Sequence, residues 1–291
     1  MGDQSFGGEW TEDKLRWVRS YLERYQEALK NQRFSTWYVD AFAGTGSRSA
    51  PEIGDNEFSL LGLLDNPSDQ VDVCRYRDGS AKIALALERP FHRYLFIEKS
   101  KSKCEELESV IRAQFGNLVE RCTIRPGEAN AELCRWCEER DWSHDRAVVF
   151  LDPFGTQVKW STIAALGATK GVDLWYLFPM SVIRLLTRDG VKEPSWRDCL
   201  NSVFGTTEWE QRFYKRSPTL FENIEGVTRT VSVESVQNFI EERLKTCFVD
   251  AISGNILKNS RNSPLFLLCF AVANKKGAPI AGRIAQSILR N

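Results

Sequence analysis

Three carboxylates close three short apolar runs: Asp40 after Tyr38-Val39, Glu98 after Tyr94-Leu95-Phe96-Ile97, and Asp152 after Ala147-Val148-Val149-Phe150-Leu151. A turn of small residues, Ala41-Phe42-Ala43-Gly44-Thr45-Gly46, follows the first at once. A strand running into Gly-x-Gly brings backbone N–H groups close to a small cofactor at the carboxyl ends of an α/β sheet. An acid before that turn attracts the ammonium end of an amino-acid-like ligand and repels a pyrophosphate. This favours S-adenosylmethionine (SAM) over a dinucleotide. A dinucleotide fingerprint would also need a third glycine where Ser49 stands, and a P-loop would need Gly-Lys-Ser/Thr. Taken alone, the turn could equally be an ordinary strand-to-helix connection.

The other two acids extend the pattern. Glu98, at the tip of a second strand, is placed to accept hydrogen bonds from two ribose hydroxyls. The run into Asp152-Pro153 is apolar throughout, as in a central parallel strand covered on both faces. Methyl transfer from a sulfonium to an amine is a direct displacement in which positioning dominates. The Asp152 carboxylate and a backbone carbonyl beside Pro153 would hold the N–H bonds of an exocyclic amine and aim its lone pair. Phe154 would stack on the base, or else is a core residue at a strand end. Cytosine C5 chemistry would ordinarily use a Pro-Cys nucleophile, and the chain has no Pro-Cys dipeptide.

The elements that must position these acids follow from periodicity. Residues 11–30 read as an amphipathic helix, with Leu15, Val18, Leu22, Tyr25 and Leu29 at helical spacing. Lys14 on it could face the cofactor carboxylate or simply be solvated. Further helices are expected at 80–88, 104–115, 131–140, 161–168, 181–186 and 235–248, and strands at 122–124, 172–178 and 265–273. Glu128, in the loop after the third strand, either accepts from the adenine amino group or caps the 131–140 helix. The seventh strand of the usual fold is not evident. The stretch from Asp40 to Glu98 is about twice the ~30 residues of a strand-helix-strand unit. Residues 48–77 are therefore expected to be an insertion overhanging the cofactor mouth. Residues 189–230 read as irregular, with Arg212, Lys215 and Arg216 as a substrate or partner element. The expected fold is a Rossmann-like class I SAM-methyltransferase domain over 1–291, with a mostly parallel sheet flanked by helices and carrying these insertions.

Composition narrows the functional classes. The 291 residues are 42% hydrophobic and carry 39 basic and 39 acidic side chains, so nucleic acid would have to be bound through a local patch. No run approaches the ~18 apolar residues of a membrane span. The first residues lack a signal pattern. A soluble cytoplasmic protein with no membrane partner is expected. Of eight cysteines, only Cys134 and Cys137 form Cys-x-x-Cys, without a second pair, so no metal site is expected. With two histidines, His92 and His144, His-based triads are disfavoured.

Five motifs occur in order: Tyr38-Val-Asp-Ala-Phe-Ala-Gly-Thr-Gly46; Asp78-Gly79-Ser80 with Ala84-Leu85; Phe96-Ile97-Glu98; Phe150-Leu-Asp-Pro-Phe-Gly-x-Gln157-Val-x-Trp160; and Asp173-Leu-Trp-Tyr-Leu-Phe-Pro179. From about Lys14 to Leu186 they resemble the three-Cys-motif partner (TcmP) family. The resemblance implies a bacterial or mobile-element setting and a partner with a three-cysteine, radical-SAM-like motif. It implies no particular reaction. More distantly, the first and fourth motifs resemble DNA and RNA amino-methyltransferases, whose fourth motif is Asp/Asn-Pro-Pro-aromatic. Here Phe154 replaces the second proline and Gly155 the aromatic, a departure that bears on the target amine and not on the SAM site. The expected function is SAM-dependent methylation of an exocyclic amine of a nucleic-acid base. The alternative is a non-catalytic accessory protein binding the three-cysteine partner or nucleic acid, and methylation of a protein or small molecule is a third possibility.

Overall fold

The computed structural model describes residues 9–45, 79–153, 155–218, 225–258 and 262–289. The expected 48–77 insertion, Gly46 and Phe154 lie outside them. Helix α1 (Glu9–Leu29) leads into β1 (Ser35–Asp40). There follow α2 (Ser80–Leu85), β2 (Arg93–Glu98), α3 (Lys101–Gln114), a 3₁₀ turn (Gly116–Arg121), β3 (Cys122–Pro126), α4 (Ala129–Glu138), β4 (Asp145–Leu151), α5 (Trp160–Ala168) and β5 (Val172–Pro179).

One seven-stranded sheet has the order β3-β2-β1-β4-β5-β9-β8, where β8 is Asp250–Lys258 and β9 is Pro264–Val272. Strands β1 to β5 pair in parallel, and β9 is antiparallel to both β5 and β8. This is the Rossmann-like class I methyltransferase topology. The strand order reverses between β1 and β4, which is where an open α/β sheet forms its ligand crevice.

Strict alternation of side chains divides the core between two faces. Val39, Val149, Leu151, Leu174 and Tyr176 pack with Leu133 and Trp136 of α4 and Ile163 and Leu166 of α5. Tyr38, Val148, Phe150, Trp175 and Leu177 pack with Tyr21 and Leu22 of α1, Ala84 of α2, Leu107 of α3 and Ala285 of α10 (Ala278–Leu289). All eight residues of β5 are buried. Helices on both faces explain why β4 and β5 carry near-continuous apolar runs.

Two stretches depart from the sequence expectation. Residues 189–230 are ordered structure over most of their length. They hold α7 (Pro194–Phe204), α8 (Trp209–Phe213) and a hairpin of β6 (Tyr214–Pro218) with β7 (Glu225–Arg229). A short α6 (Val182–Leu185) precedes them, and α9 (Val233–Lys245) follows. The seventh strand is β8, whose sequence breaks period-two alternation because its pairing shifts register between Ser253 and Ile256. At that irregularity a Cβ on Gly254 would lie 2.6 Å from Leu289 Cδ2, so glycine lets the strand approach α10 without displacing that leucine. Among the described residues no helix is long and apolar enough to cross a membrane.

Candidate functional site

The turn after β1 is built on Asp40. Its carboxylate is fully buried, and Oδ1 accepts from the Phe42 amide at 3.1 Å. Oδ2 accepts from Ser80 Oγ at 2.5 Å and, at the 3.5 Å limit, from the Tyr38 hydroxyl. Burial first, and then the Asp40 charge, push the Tyr38 hydroxyl well above its ordinary value, with Asp152 adding to the effect. Both strand-end acids therefore act electrostatically on one buried tyrosine. Asp40, expected from the sequence to attract a ligand ammonium, holds the turn through these contacts, its carboxylate enclosed between Phe42 and Ser80.

The turn then reaches across to β2. The Ala43 amide donates to the Ile97 carbonyl at 3.1 Å, and the Gly44 amide donates to Glu98 Oε2 at 3.1 Å. Gly44 has φ +59°, a left-handed conformation that costs an L side chain energy, and this conformation accompanies that hydrogen bond. Glu98 Oε1 accepts from the Ser100 amide at 3.0 Å. A carboxylate has about four acceptor positions, so these two amides leave room for further donors.

Above these groups lies a cavity of about 250 Å³, lined by Ala41, Phe42, Glu98, Glu128, Asn130 and Gln157 among others. Glu128 is the residue before α4 but makes no capping bond. Its carboxylate pairs instead with Lys99 Nζ at 2.9 Å, both side chains being more than half exposed. Such a pair contributes little to stability and is easily exchanged for a ligand contact. Asn130, which the sequence did not single out, fixes the loop after β4. Its Nδ2 donates to the Gln157 carbonyl at 2.8 Å, and its Oδ1 accepts from the Lys159 amide at 2.9 Å and from Thr162 Oγ1 at 2.8 Å. The only sequence signal for it was its place in the loop beside Glu128.

The structure thus brings Phe42, Glu98 and Glu128 together around one crevice, with Ala43 and Gly44 bonded to the end of β2 beneath it. Asp152 and Pro153 are buried at the carboxyl end of β4, the strand next to β1, and do not line that cavity. Lys14 falls within α1, but its side chain is outside the described residues. No cluster of metal-ligating side chains is present among the described residues.

This set of acceptors and apolar surface suits a nucleoside such as that of SAM. An acidic acceptor stands at the tip of β2, a second acid lies at the rim, and a half-buried Phe42 supplies apolar surface. A volume of about 250 Å³ is slightly below the ~300–1,000 Å³ of ligand clefts, and matches the nucleoside part rather than a whole cofactor.

No protein-family model matches the chain, and no curated protein matches it. Similar solved structures include a Legionella pneumophila protein of the family model DUF519, at 11% identity over 94% of this chain and 90% of that one, TM-score 0.48. The Thermotoga maritima spermidine synthase is 8% identical over 100% and 74%, TM-score 0.42. The methyltransferase domain of a bacterial CtHen1-C is 11% identical over 88% and 98%, TM-score 0.36. The fold itself follows from the strand order.

Proposed function

We propose that this protein is a SAM-dependent methyltransferase acting on an exocyclic amine of a nucleic-acid base. The observation that carries the reading is the Gly44–Glu98 pair beneath a nucleoside-sized crevice at the carboxyl ends of β1, β2 and β3, beside the strand-order reversal. SAM, when bound, supplies an electrophilic methyl group on sulfonium. The remaining work belongs to the chain. Glu98 holds ribose hydroxyls with its free acceptor positions, while Glu128 at the rim can leave Lys99 and accept from the adenine amine. Asp40 and Ser80 keep the turn closed. Asp152 accepts an N–H of the substrate amine, so that the lone pair faces the methyl group.

The hairpin supports a polyanionic substrate. Lys215, Arg216 and Arg229 are exposed on β6 and β7. The hairpin docks on the segment after β5: Tyr214 Oη donates to the Thr187 carbonyl at 2.8 Å, and Arg229 Nη2 donates to the Ile183 carbonyl at 3.2 Å. These cations therefore flank the carboxyl end of the sheet, where a local patch can offset the neutral net charge.

A second reading is an accessory protein of the three-Cys-motif partner kind, holding a radical-SAM-like partner without catalysis. The observation that favours it is the enclosed Asp40 carboxylate, which is committed to Phe42 and Ser80. Calorimetric titration with SAM, followed by a tritiated-methyl screen over DNA, RNA and cell extract, separates the two. Binding with label in nucleic acid supports the first reading. Binding with no label in any pool, with or without the partner, moves the assignment to the second, and no heat with SAM removes the cofactor.

A further inference from the structure

A second cavity, of about 430 Å³, opens at the other end of the strands. Phe34 just before β1, Arg146 as the second residue of β4 and Asp173 as the second residue of β5 all border it, so it lies at the amino-terminal edge, away from Glu98. Its walls are mostly apolar. Tyr21, Tyr25 and Leu29 come from α1, and Ile280 and Ile284 from α10. Its size falls within the ~300–1,000 Å³ of ligand clefts, and an apolar pocket with a few convergent polar groups is the usual form of a small-molecule site.

The polar groups give the site a sign. The Arg146 guanidinium stacks on Phe34, its Cζ 3.9 Å from the ring centre. Its Nη1 donates to the Trp142 and Asp145 carbonyls at 2.7 and 2.6 Å. Its Nε and Nη2 donors have no partner among the described residues, and no acid pairs with the exposed Lys276 there. The one carboxyl in the wall, Asp173, accepts from the Tyr21 hydroxyl at 2.6 Å. Burial raises it to about 7 against the lesser opposing pulls of Tyr21 and Arg146, which weakens its negative charge near neutral pH. Two cations outweigh the single buried acid whatever its protonation, and leave a positive site with aromatic walls.

We propose that this cavity binds a small aromatic organic anion, with its ring against Tyr25, Leu29 and Phe34 and its anionic group on Arg146 and Lys276. The ligand shares no residue with the crevice at Glu98, so the proposal does not rest on the methyltransferase reading. Bound there, it would clamp α1 to α10 and the amino ends of β4 and β5, a regulatory position rather than a catalytic one.

Fluorescence titration of the full chain with 8-anilino-1-naphthalenesulfonate, and with its uncharged parent N-phenyl-1-naphthylamine, tests the proposal. One site per chain is expected, with the anion bound about tenfold or more tighter than the neutral ring, as a charge-assisted contact requires. Lys276→Glu should weaken the anion about tenfold and leave the neutral probe nearly unchanged. Ile280→Trp should exclude both probes, because residue 280 is 50% exposed at the mouth and a larger side chain there fills the cavity without entering the core. Near-ultraviolet circular dichroism confirms that each variant is folded. If Ile280→Trp does not fold, the charge reversal at Lys276 decides. Equal affinity for the two probes, binding unaffected by the variants, several weak sites per chain, or displacement of the anion by S-adenosylhomocysteine would each overturn the proposal.

Discussion

The hydroxyl of Ser80 donates to the carboxylate of Asp40 at 2.5 Å, joining the first residue of α2 to the last residue of β1. Both groups are buried, so the contact sets the turn after β1 from within rather than from the cleft. Ser80→Ala should leave Asp40 short of a donor and destabilise the fold by about 1–3 kcal/mol. Asp40→Asn on that background should recover part of the loss, since a neutral amide tolerates burial better than a carboxylate. Urea denaturation of the two variants measures both effects.

Glu98 has a double task, which shapes its predicted phenotype. Glu98→Gln keeps the side chain's shape but turns one acceptor oxygen into a donor facing either the Gly44 or the Ser100 amide. SAM affinity should fall at least about tenfold, in line with ~1.5–3 kcal/mol for hydrogen bonds to a charged group. The melting temperature without ligand should also drop, because the lost acceptor serves the ligand-free turn. Calorimetry well below the melting point separates the two losses. Unchanged affinity would remove Glu98 from the cofactor site.

Asp152 is predicted to act after the cofactor has bound. Asp152→Ala should leave SAM affinity within about threefold of wild type and reduce methyl transfer by at least about a hundredfold, since misdirecting a reacting lone pair forfeits the orientation term. Single-turnover transfer of tritiated methyl, on whichever nucleic acid is labelled, gives the comparison. Equal transfer by both proteins would end the catalytic assignment.

Asp173 predicts a pH dependence of stability. Its folded value is raised to about 7 from an ordinary 3.8, chiefly by burial. Its contribution is therefore fully present below about pH 4 and is lost as the pH rises through about 7, at no more than ~1.4 kcal/mol per pH unit. Asp173→Asn, which stays neutral and can still accept from Tyr21, should flatten this dependence. Its stability relative to wild type should rise between pH 4 and 7 and level off above that range. Denaturant midpoints at four or five pH values suffice, and parallel curves for the two proteins would contradict the prediction.

Legibility in the sequence followed the range of the forces involved. Strands β4 and β5 could be read from their apolar runs because both faces are covered locally by helices, and the acids at strand ends marked where those runs stop. Strand β8 was hidden because Ser253, Gly254 and Asn255 sit at a register shift that no periodic template contains. The hairpin of β6 and β7 was read as irregular because its Lys215, Arg216, Thr228 and Arg229 are exposed and give no hydrophobic alternation. The enclosure of Asp40 escaped for another reason. Its partner Ser80 is 40 positions away, and the chain records the two residues without recording that they meet.

The antiparallel β9 has a consequence for how the protein is made. Strand β5 is synthesised well before its antiparallel partner, since its outer edge pairs with residues 266–272 of β9, which follow the whole of α6 to β8. Until those residues leave the ribosome, a strand buried at every position presents an open row of N–H and C=O groups flanked by apolar side chains. Such an edge is a template for pairing with another nascent chain, and pairings distant in sequence also form slowly. Expression yield should therefore depend on chaperone supply and translation rate more than the stability of the finished fold would suggest.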